Sequence, residues 1–168
     1  MKKIILWIVI LGIIPGLWAA GDNWVGFDKG LALSQKLEKP MLVDFYTDWC
    51  HWCKVMDEKT FNNPEVKAFL EAHFITVRIQ AEDKNAHLTY KGKKYNHVEF
   101  SKAAGVRGYP SLAFLDKKGE LITIIPGYVP AETFLPILNY IRKECYLKKI
   151  SFDDFLKKQD ECDKKKTK

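Results

Sequence analysis

The chain has 168 residues, 47% of them hydrophobic and 13% aromatic, with 27 basic residues against 21 acidic. That length suits one compact domain with a real core, the aromatic content argues against disorder, and no internal period marks a repeat array. The formal charge of +6 sits at the two ends, because residues 21–141 hold 15 basic and 15 acidic side chains. The middle therefore has no basic stripe to track phosphates, and no nucleic-acid partner is expected.

Lys2-Lys3, an apolar run from Ile4 to Ile14, Pro15-Gly16 and Leu17-Trp18-Ala19-Ala20 are the parts of a secretory signal peptide over residues 1–20. Leu17 and Ala19 fit the positions before cleavage, which favours a cut at Ala19/Ala20. An uncleaved anchor is the alternative, since the run is near the lower limit for spanning, and Pro15-Gly16 argues against it. No cysteine lies near the cut, so a lipid anchor is not expected. The body of the chain is expected to be exported, to the periplasm or otherwise, where disulfides persist.

Phe27–Glu38 has the spacing of an amphipathic helix with Leu31, Leu33 and Leu37 on or near its apolar face. Pro40 ends it, and the apolar run Met41–Tyr46 suits a strand buried on both faces. A helix opens near Trp49 or Cys50 and is interrupted by Asn62-Asn63-Pro64. Another covers Pro64–Ala72, with the proline in its first turn, and Phe74–Ile79 is the next strand. Residues 88–90 and 93–95 flank Lys91-Gly92 like a small hairpin, and Phe100–Ala104 reads as a helical turn. Strands Ser111–Leu115 and Leu121–Ile125 are joined by Asp116-Lys117-Lys118-Gly119. Ala131–Glu144 is a final core helix carrying Pro136, and Ser151 caps a short extra helix, Ser151–Gln159. This order predicts an α/β layered domain.

Cys50-His51-Trp52-Cys53 follows a buried strand and opens a helix. A helix N-terminus presents unpaired N–H groups and partial positive charge, which stabilise a thiolate on Cys50. Such a position lowers a cysteine pKa from about 8.5 to roughly 3.5–7.5. Cys53 lies one turn on, within reach of a disulfide. A c-type haem site needs His where Lys54 stands. A structural zinc site needs two more close ligands, and Cys145 and Cys162 lie far away without paired spacing. Copper carriage by the two thiols, helped by His51, stays open because soft thiolates suit Cu(I). A purely structural Cys50–Cys53 bridge is the plainest alternative.

The segment Leu42-Val43-Asp44-Phe45-Tyr46-Thr47-Asp48-Trp49-Cys50-His51-Trp52-Cys53-Lys54 resembles the active-site segment of thioredoxins, and Gly105–Ser111 resembles their second signature. The likeness extends over roughly Phe27–Ile141. Asp48-Trp49-Cys50 through Lys59-Thr60-Phe61 is most similar to exported members. These include the C-terminal domain of the transmembrane thiol:disulfide interchange protein and the periplasmic thioredoxins of sulfur oxidation. The resemblance implies a thioredoxin fold in which Cys50 attacks, Cys53 resolves and Asp44, in an otherwise apolar strand, moves the proton. Burial raises a carboxyl pKa, so Asp44 is a candidate to take up a proton near neutrality. The resemblance also implies a cis bond before Pro110, with the Tyr109 backbone offered to a substrate strand. Arg78 matches the place of a lysine near the acid in thioredoxins. Trp49, His51, Trp52, Tyr109 and Pro110 form the expected substrate-facing set.

There are departures. Strong oxidants place His immediately before the second cysteine, where Trp52 stands, so His51 either tunes Cys50 or points to solvent. Glu58 replaces the proline that thioredoxins carry five residues after the second cysteine, so the helix is expected to kink differently. The insert Lys84–His97 is longer than in ordinary thioredoxins, and either borders the substrate groove or is a plain surface loop. Cys50 is expected to be reachable and Cys53 to lie inside. Cys145 and Cys162 are expected to pair and pin the C-terminal helix.

The expected organisation is a signal peptide over 1–20, a thioredoxin-like domain over 21–145, and a C-terminal helix with basic tail over 146–168. The expected function is exported thiol:disulfide exchange with protein thiols and disulfides, as a reductase rather than an oxidant. Electrons would come from a membrane donor protein, with no dissociable cofactor and no metal, and the chain acting as a monomer. A copper chaperone of the same fold and a non-catalytic binding module are the alternatives.

Overall fold

Six residues, Met41–Tyr46, are too apolar to face water on either side, and the rest of the chain is arranged about them. In this computed structural model, residues 23–158 and Cys162 are described. The expected signal segment and the helix end at Gln159 lie outside them. In chain order the elements are α1 (Phe27–Leu37), β1 (Met41–Tyr46), α2 (His51–Met56), a π-helical turn (Asp57–Phe61), α3 (Pro64–His73), β2 (Ile75–Gln80), β3 (His87–Tyr90), β4 (Lys93–Asn96), α4 (His97–Ala103), β5 (Ser111–Leu115), β6 (Leu121–Pro126), α5 (Ala131–Arg142), a 3₁₀ turn (Cys145–Lys148) and α6 (Phe152–Lys157).

The main sheet has the order β2-β1-β5-β6. β2 runs parallel to β1, with Asp44 opposite Arg78, while β5 and β6 are antiparallel. Strand side chains alternate between faces, so β1 divides the core in two. Leu42 joins Met56, Phe61, Phe114, Phe134 and Leu138 under α2 and α5. Met41, Val43 and Phe45 join Phe27, Val77, Ile79 and Phe100 under α1 and α4. This is the thioredoxin fold, a mixed central sheet flanked by helices, with an added C-terminal helix.

Two elements differ from the sequence expectation. The buried face of α1 runs through Phe27, Gly30 and Ser34, and Leu37 is exposed. A Cβ at residue 30 would lie 2.2 Å from Val77 Cγ2, so the glycine lets α1 sit close on β2, while Leu37 shares that face but is the last residue of the helix. Ser34 is tolerated inside because its hydroxyl donates to Lys39 O at 2.6 Å. The expected turn at 100–104 is a longer helix, started three residues earlier by a capping box of Asn96 and Glu99. The helix after Cys53 does change its winding: residues 57–61 form a π turn through Glu58.

β3 and β4 form the hairpin within the insert. It packs along α1, where Thr89 N donates to Asp28 Oδ1 at 2.8 Å, and the Tyr90 hydroxyl bonds Gly119 O in the β5–β6 turn. At the other end of the chain, Ser151 caps α6 by accepting from Asp154 N. Phe152 and Phe155 meet Tyr140 of α5 edge-on, and Cys145 is bonded to Cys162 beside them.

Candidate active site

β1 ends at Tyr46, and the chain folds back through a turn in which Cys50 N donates to Thr47 O at 3.2 Å. Cys50 then takes an extended conformation as the N-cap of α2, and its Sγ accepts the Cys53 N–H at 3.0 Å. A cysteine sulfur thus occupies the place where Ser or Asp usually satisfies a free helix donor. Cys50 and Cys53 are joined by a disulfide with their Cα atoms 5.3 Å apart. The expected contrast in exposure is absent: Cys50 is 3% exposed and Cys53 4%. Closing the bridge tucks both sulfurs against the helix start, and the neighbouring rings carry the exposure, Trp49 at 68% and Trp52 at 55%. What separates the two cysteines is the N–H donor aimed at Cys50, not access.

Beneath the helix, the Asp44 side chain is almost fully buried. Arg78 Nε and Nη2 both donate to its Oδ2 at 3.0 Å, and Arg78 Nη2 also pairs with Asp57 Oδ1. The guanidinium lies between two rings, 4.8 Å from the Trp24 centroid and 5.0 Å from that of Tyr46. Burial pushes the Asp44 carboxyl up to about 6, Arg78 opposes the rise and the Asp57 charge adds to it. Asp44 is thereby set to exchange a proton near neutral pH. Asp57 and Arg78 open onto a cleft with Asn23, Trp24 and Thr76, which gives this pair contact with solvent.

The Tyr109–Pro110 peptide bond is cis. Pro110 is buried, its carbonyl accepts from Gly127 N at 2.8 Å, and the Tyr109 ring meets Trp49 edge-on at 6.1 Å. On the other flank Trp52 lies over Tyr128 at 5.6 Å. The loop carrying Tyr128 is tied to the π turn by the Thr60 hydroxyl, which donates to Val129 O at 2.6 Å. His51 is exposed and edge-on to Trp52. From the region ahead of the hairpin, Glu82 accepts the Trp49 Nε1–H at 2.9 Å. Among the described residues, no group of three or more His, Cys, Asp or Glu side chains is placed to hold a metal ion.

Sequence reasoning did not find Asp57, Glu82 or Tyr128. Asp57 carried a usable signal, since it stands four residues after Cys53 and so near the same helix face. Glu82 and Tyr128 carried none, because nothing local to either points to a tryptophan more than thirty residues away.

Residues 27–142 match the thioredoxin-like domain family. The chain is similar to the thiol:disulfide interchange protein DsbD of Vibrio vulnificus, 32% identical over 117 residues, covering 66% of this chain and 17% of that protein. It is also similar to the disulfide bond reductase DsbH of Chlamydia pneumoniae, 30% identical over 113 residues, covering 67% of this chain and 66% of that protein. Among solved structures, a thioredoxin from Thermus thermophilus superposes with a TM-score of 0.57 at 26% identity, covering 70% of this chain and 85% of that one. The interchange protein is thus much the longer of the pair, and the shared part is the domain that carries the cysteine pair. Matched over most of its length, with the sheet order and the CxxC helix start in place, the chain belongs to the thioredoxin-like domain family.

Proposed function

We propose that this domain exchanges its Cys50–Cys53 pair with disulfides of other proteins, acting as a reductase in an exported compartment. The observation that carries this reading is the Cys50 sulfur at the start of α2, accepting the Cys53 N–H, above a buried carboxyl whose pKa is raised to about 6.

In the reduced state the same N–H and the helix start favour a thiolate on Cys50. That thiolate attacks a client disulfide, forming a mixed disulfide and releasing one client thiolate. Cys53 then loses its proton to Asp44 and attacks Cys50 Sγ, which closes the bridge and frees the second client thiol. Two electrons pass to the client, and a dithiol protein returns them to the pair. Arg78 holds Asp44 by one oxygen, and the exposed rings of Trp49 and Trp52, with the half-buried Tyr109 and Tyr128 against them, supply the contact surface for an extended client segment.

The similarity to proteins named as an interchange protein and a disulfide bond reductase favours the reducing direction and a membrane electron donor. The signal-like N-terminus supports export, and the unit is a monomer.

Insulin reduction driven by dithiothreitol tests the reading, together with non-reducing electrophoresis of cysteine variants made in an oxidising compartment. Turnover by the natural protein is expected, with covalent client complexes in Cys53→Ser and almost none in Cys50→Ser. Stoichiometric Cu(I) binding without turnover would instead favour copper carriage. Equal trapping by both variants would overturn the assignment of attacker and resolver.

A further inference from the structure

Two buried polar atoms at the active-site end of β1 have no hydrogen-bond partner among the described residues, Asp44 Oδ1 and Thr47 Oγ1. The proton transfer proposed above uses the first, and nothing in it uses the second. Thr47 is 2% exposed, as fully enclosed as the core around it. The other buried serines and threonines all donate to a main-chain carbonyl. Ser34 bonds Lys39, Thr60 bonds Val129, Thr76 bonds Asn23, Ser101 bonds His97, and Ser111 bonds Gly108. Leaving a buried hydroxyl unpaired costs roughly 1–3 kcal/mol, and such a group calls for a specific reason.

The surroundings of Thr47 supply one. Its carbonyl accepts the Cys50 N–H, so the chain folds back between the two residues and Cys50 sits directly across the turn. While the disulfide is closed, the Cys50 sulfur is neutral and a weak acceptor, and it already takes the Cys53 N–H. Opening the bridge turns that sulfur into an anion, which accepts charge-assisted hydrogen bonds of about twice the ordinary strength. Cys53 has the Asp44 carboxyl for its own proton and needs no second partner.

We infer that the Thr47 hydroxyl is the donor reserved for the Cys50 thiolate, unpaired in the disulfide form and hydrogen-bonded to Cys50 Sγ in the reduced form. This rests on the reading of Cys50 and Cys53 as a redox pair. The step balances with a dithiol such as dithiothreitol as reductant. One reductant thiolate attacks Cys50 Sγ and breaks the Cys50–Cys53 bond, and Cys53 leaves with an electron pair and takes up a proton. The second reductant sulfur, its proton lost to solvent, closes the reductant's own disulfide and releases Cys50 as thiolate. Thr47 enters at that point. It transfers no proton and acts by stabilising one of the two redox forms, making the pair easier to reduce.

Thr47→Val keeps the side-chain shape and removes the hydroxyl, and Thr47→Ser keeps the hydroxyl. Full-length protein carrying each change is equilibrated against glutathione of known ratio, and Cys50 ionisation is read from the pH dependence of alkylation. Thr47→Val is expected to shift the equilibrium toward the disulfide by about tenfold, which corresponds to about 30 mV for a two-electron couple. The Cys50 thiolate fraction below its pKa should fall by a similar factor, and Thr47→Ser should stay within about threefold of the natural protein on both measures. Thermal melts add a readout that a packing role would not produce. Thr47→Val should melt no lower than the natural protein when oxidised, and lower when reduced. Values within about twofold of the natural protein overturn the inference, as does equal destabilisation of both forms, which would assign the hydroxyl to packing or to a buried water. A natural protein that does not exchange with glutathione at all would overturn the redox reading itself, and with it this inference.

Discussion

The two disulfides are both enclosed, and each has an N–H donor at one sulfur, Cys53 N at Cys50 Sγ and Lys148 Nζ at Cys162 Sγ, yet the rest of their surroundings differ. Cys50–Cys53 closes a separation of three residues at a helix start, beside a donor N–H, a buried carboxyl and an unpaired hydroxyl. Cys145–Cys162 closes a separation of 17 residues within a small apolar cluster of Ile150, Phe152, Phe155 and Tyr140. In the chain-entropy model a short loop constrains the unfolded chain less, so the first bridge stabilises less than the second, and it is surrounded by groups that act on its open form. The longer loop removes more chain entropy, roughly 3 kcal/mol in that model, and holds α6 on α5. Burial alone therefore does not distinguish a working disulfide from a structural one. A helix start, a buried carboxyl and an unpaired hydroxyl do.

The largest effects should separate the two bridges completely. Cys50→Ser is expected to reduce insulin turnover to background while costing less thermal stability than loss of the second bridge. Replacing Cys145 and Cys162 together by Ser should do the reverse. Turnover would persist below the melting transition, and the midpoint would fall by about 6–12 °C if each kcal/mol is worth about 2–4 °C at this size. Calorimetry and the insulin assay on the same preparations check both. Loss of turnover in the double variant at a temperature where it is folded would break the comparison.

Asp44 sharpens it from the side of pH. Its folded pKa of about 6 lies above the ordinary 3.8, so between those values the folded protein holds a proton that the unfolded chain has released. The stability this group contributes is full below pH 3.8 and is lost as pH rises through 6. Asp44→Asn removes the penalty, so the disulfide form of the variant should gain about 2–3 kcal/mol over the natural protein at pH 7 and almost nothing at pH 4. Melts of both proteins at the two pH values test this, and a gap that shrinks toward pH 7 would contradict it. The same variant should leave Cys50 alkylation nearly unchanged while slowing the resolving step near neutrality.

The smallest effect concerns the aromatic surface. Trp52→Ala and Tyr128→Ala remove the two faces of one ring contact. Each is expected to raise the KM for insulin by about three- to tenfold with little change in kcat, in keeping with about 0.5–1.5 kcal/mol for an aromatic pair. Initial rates over a range of insulin concentrations resolve the split. A fall in kcat alone would place these rings in the chemistry instead of in client contact.

Much of the fold was legible because its signals are local. Met41–Tyr46 is a strand because every residue but one is apolar, Pro64 starts α3, and the Asp116–Gly119 turn joins two short apolar runs. Leu37 misled because it shares the buried face of α1 but stands at the helix's last residue, and helical spacing does not say where along the helix the covered part ends. Asp44 stood out as an acid in an apolar strand, whereas Asp57 came into view only when Arg78 was seen to bridge the two carboxylates. The expectation that Cys50 would be the exposed cysteine failed because, with the bridge closed, both cysteines are equally enclosed.

By itself the sequence determined that a cysteine pair opens a helix directly after a buried strand, with an acid in that strand and a proline signature later in the chain. These follow from short-range rules of spacing, capping and strand burial that hold wherever the segment is placed. Only the tertiary structure decided which groups meet the pair: the Arg78 clamp on Asp44, Tyr109 and Tyr128 against the two tryptophans, and the hydroxyl of Thr47 left without a partner. Those contacts join segments up to about eighty residues apart, and their strength depends on how little water remains between them. Burial of that kind is a property of the packed core as a whole, and no single segment carries it.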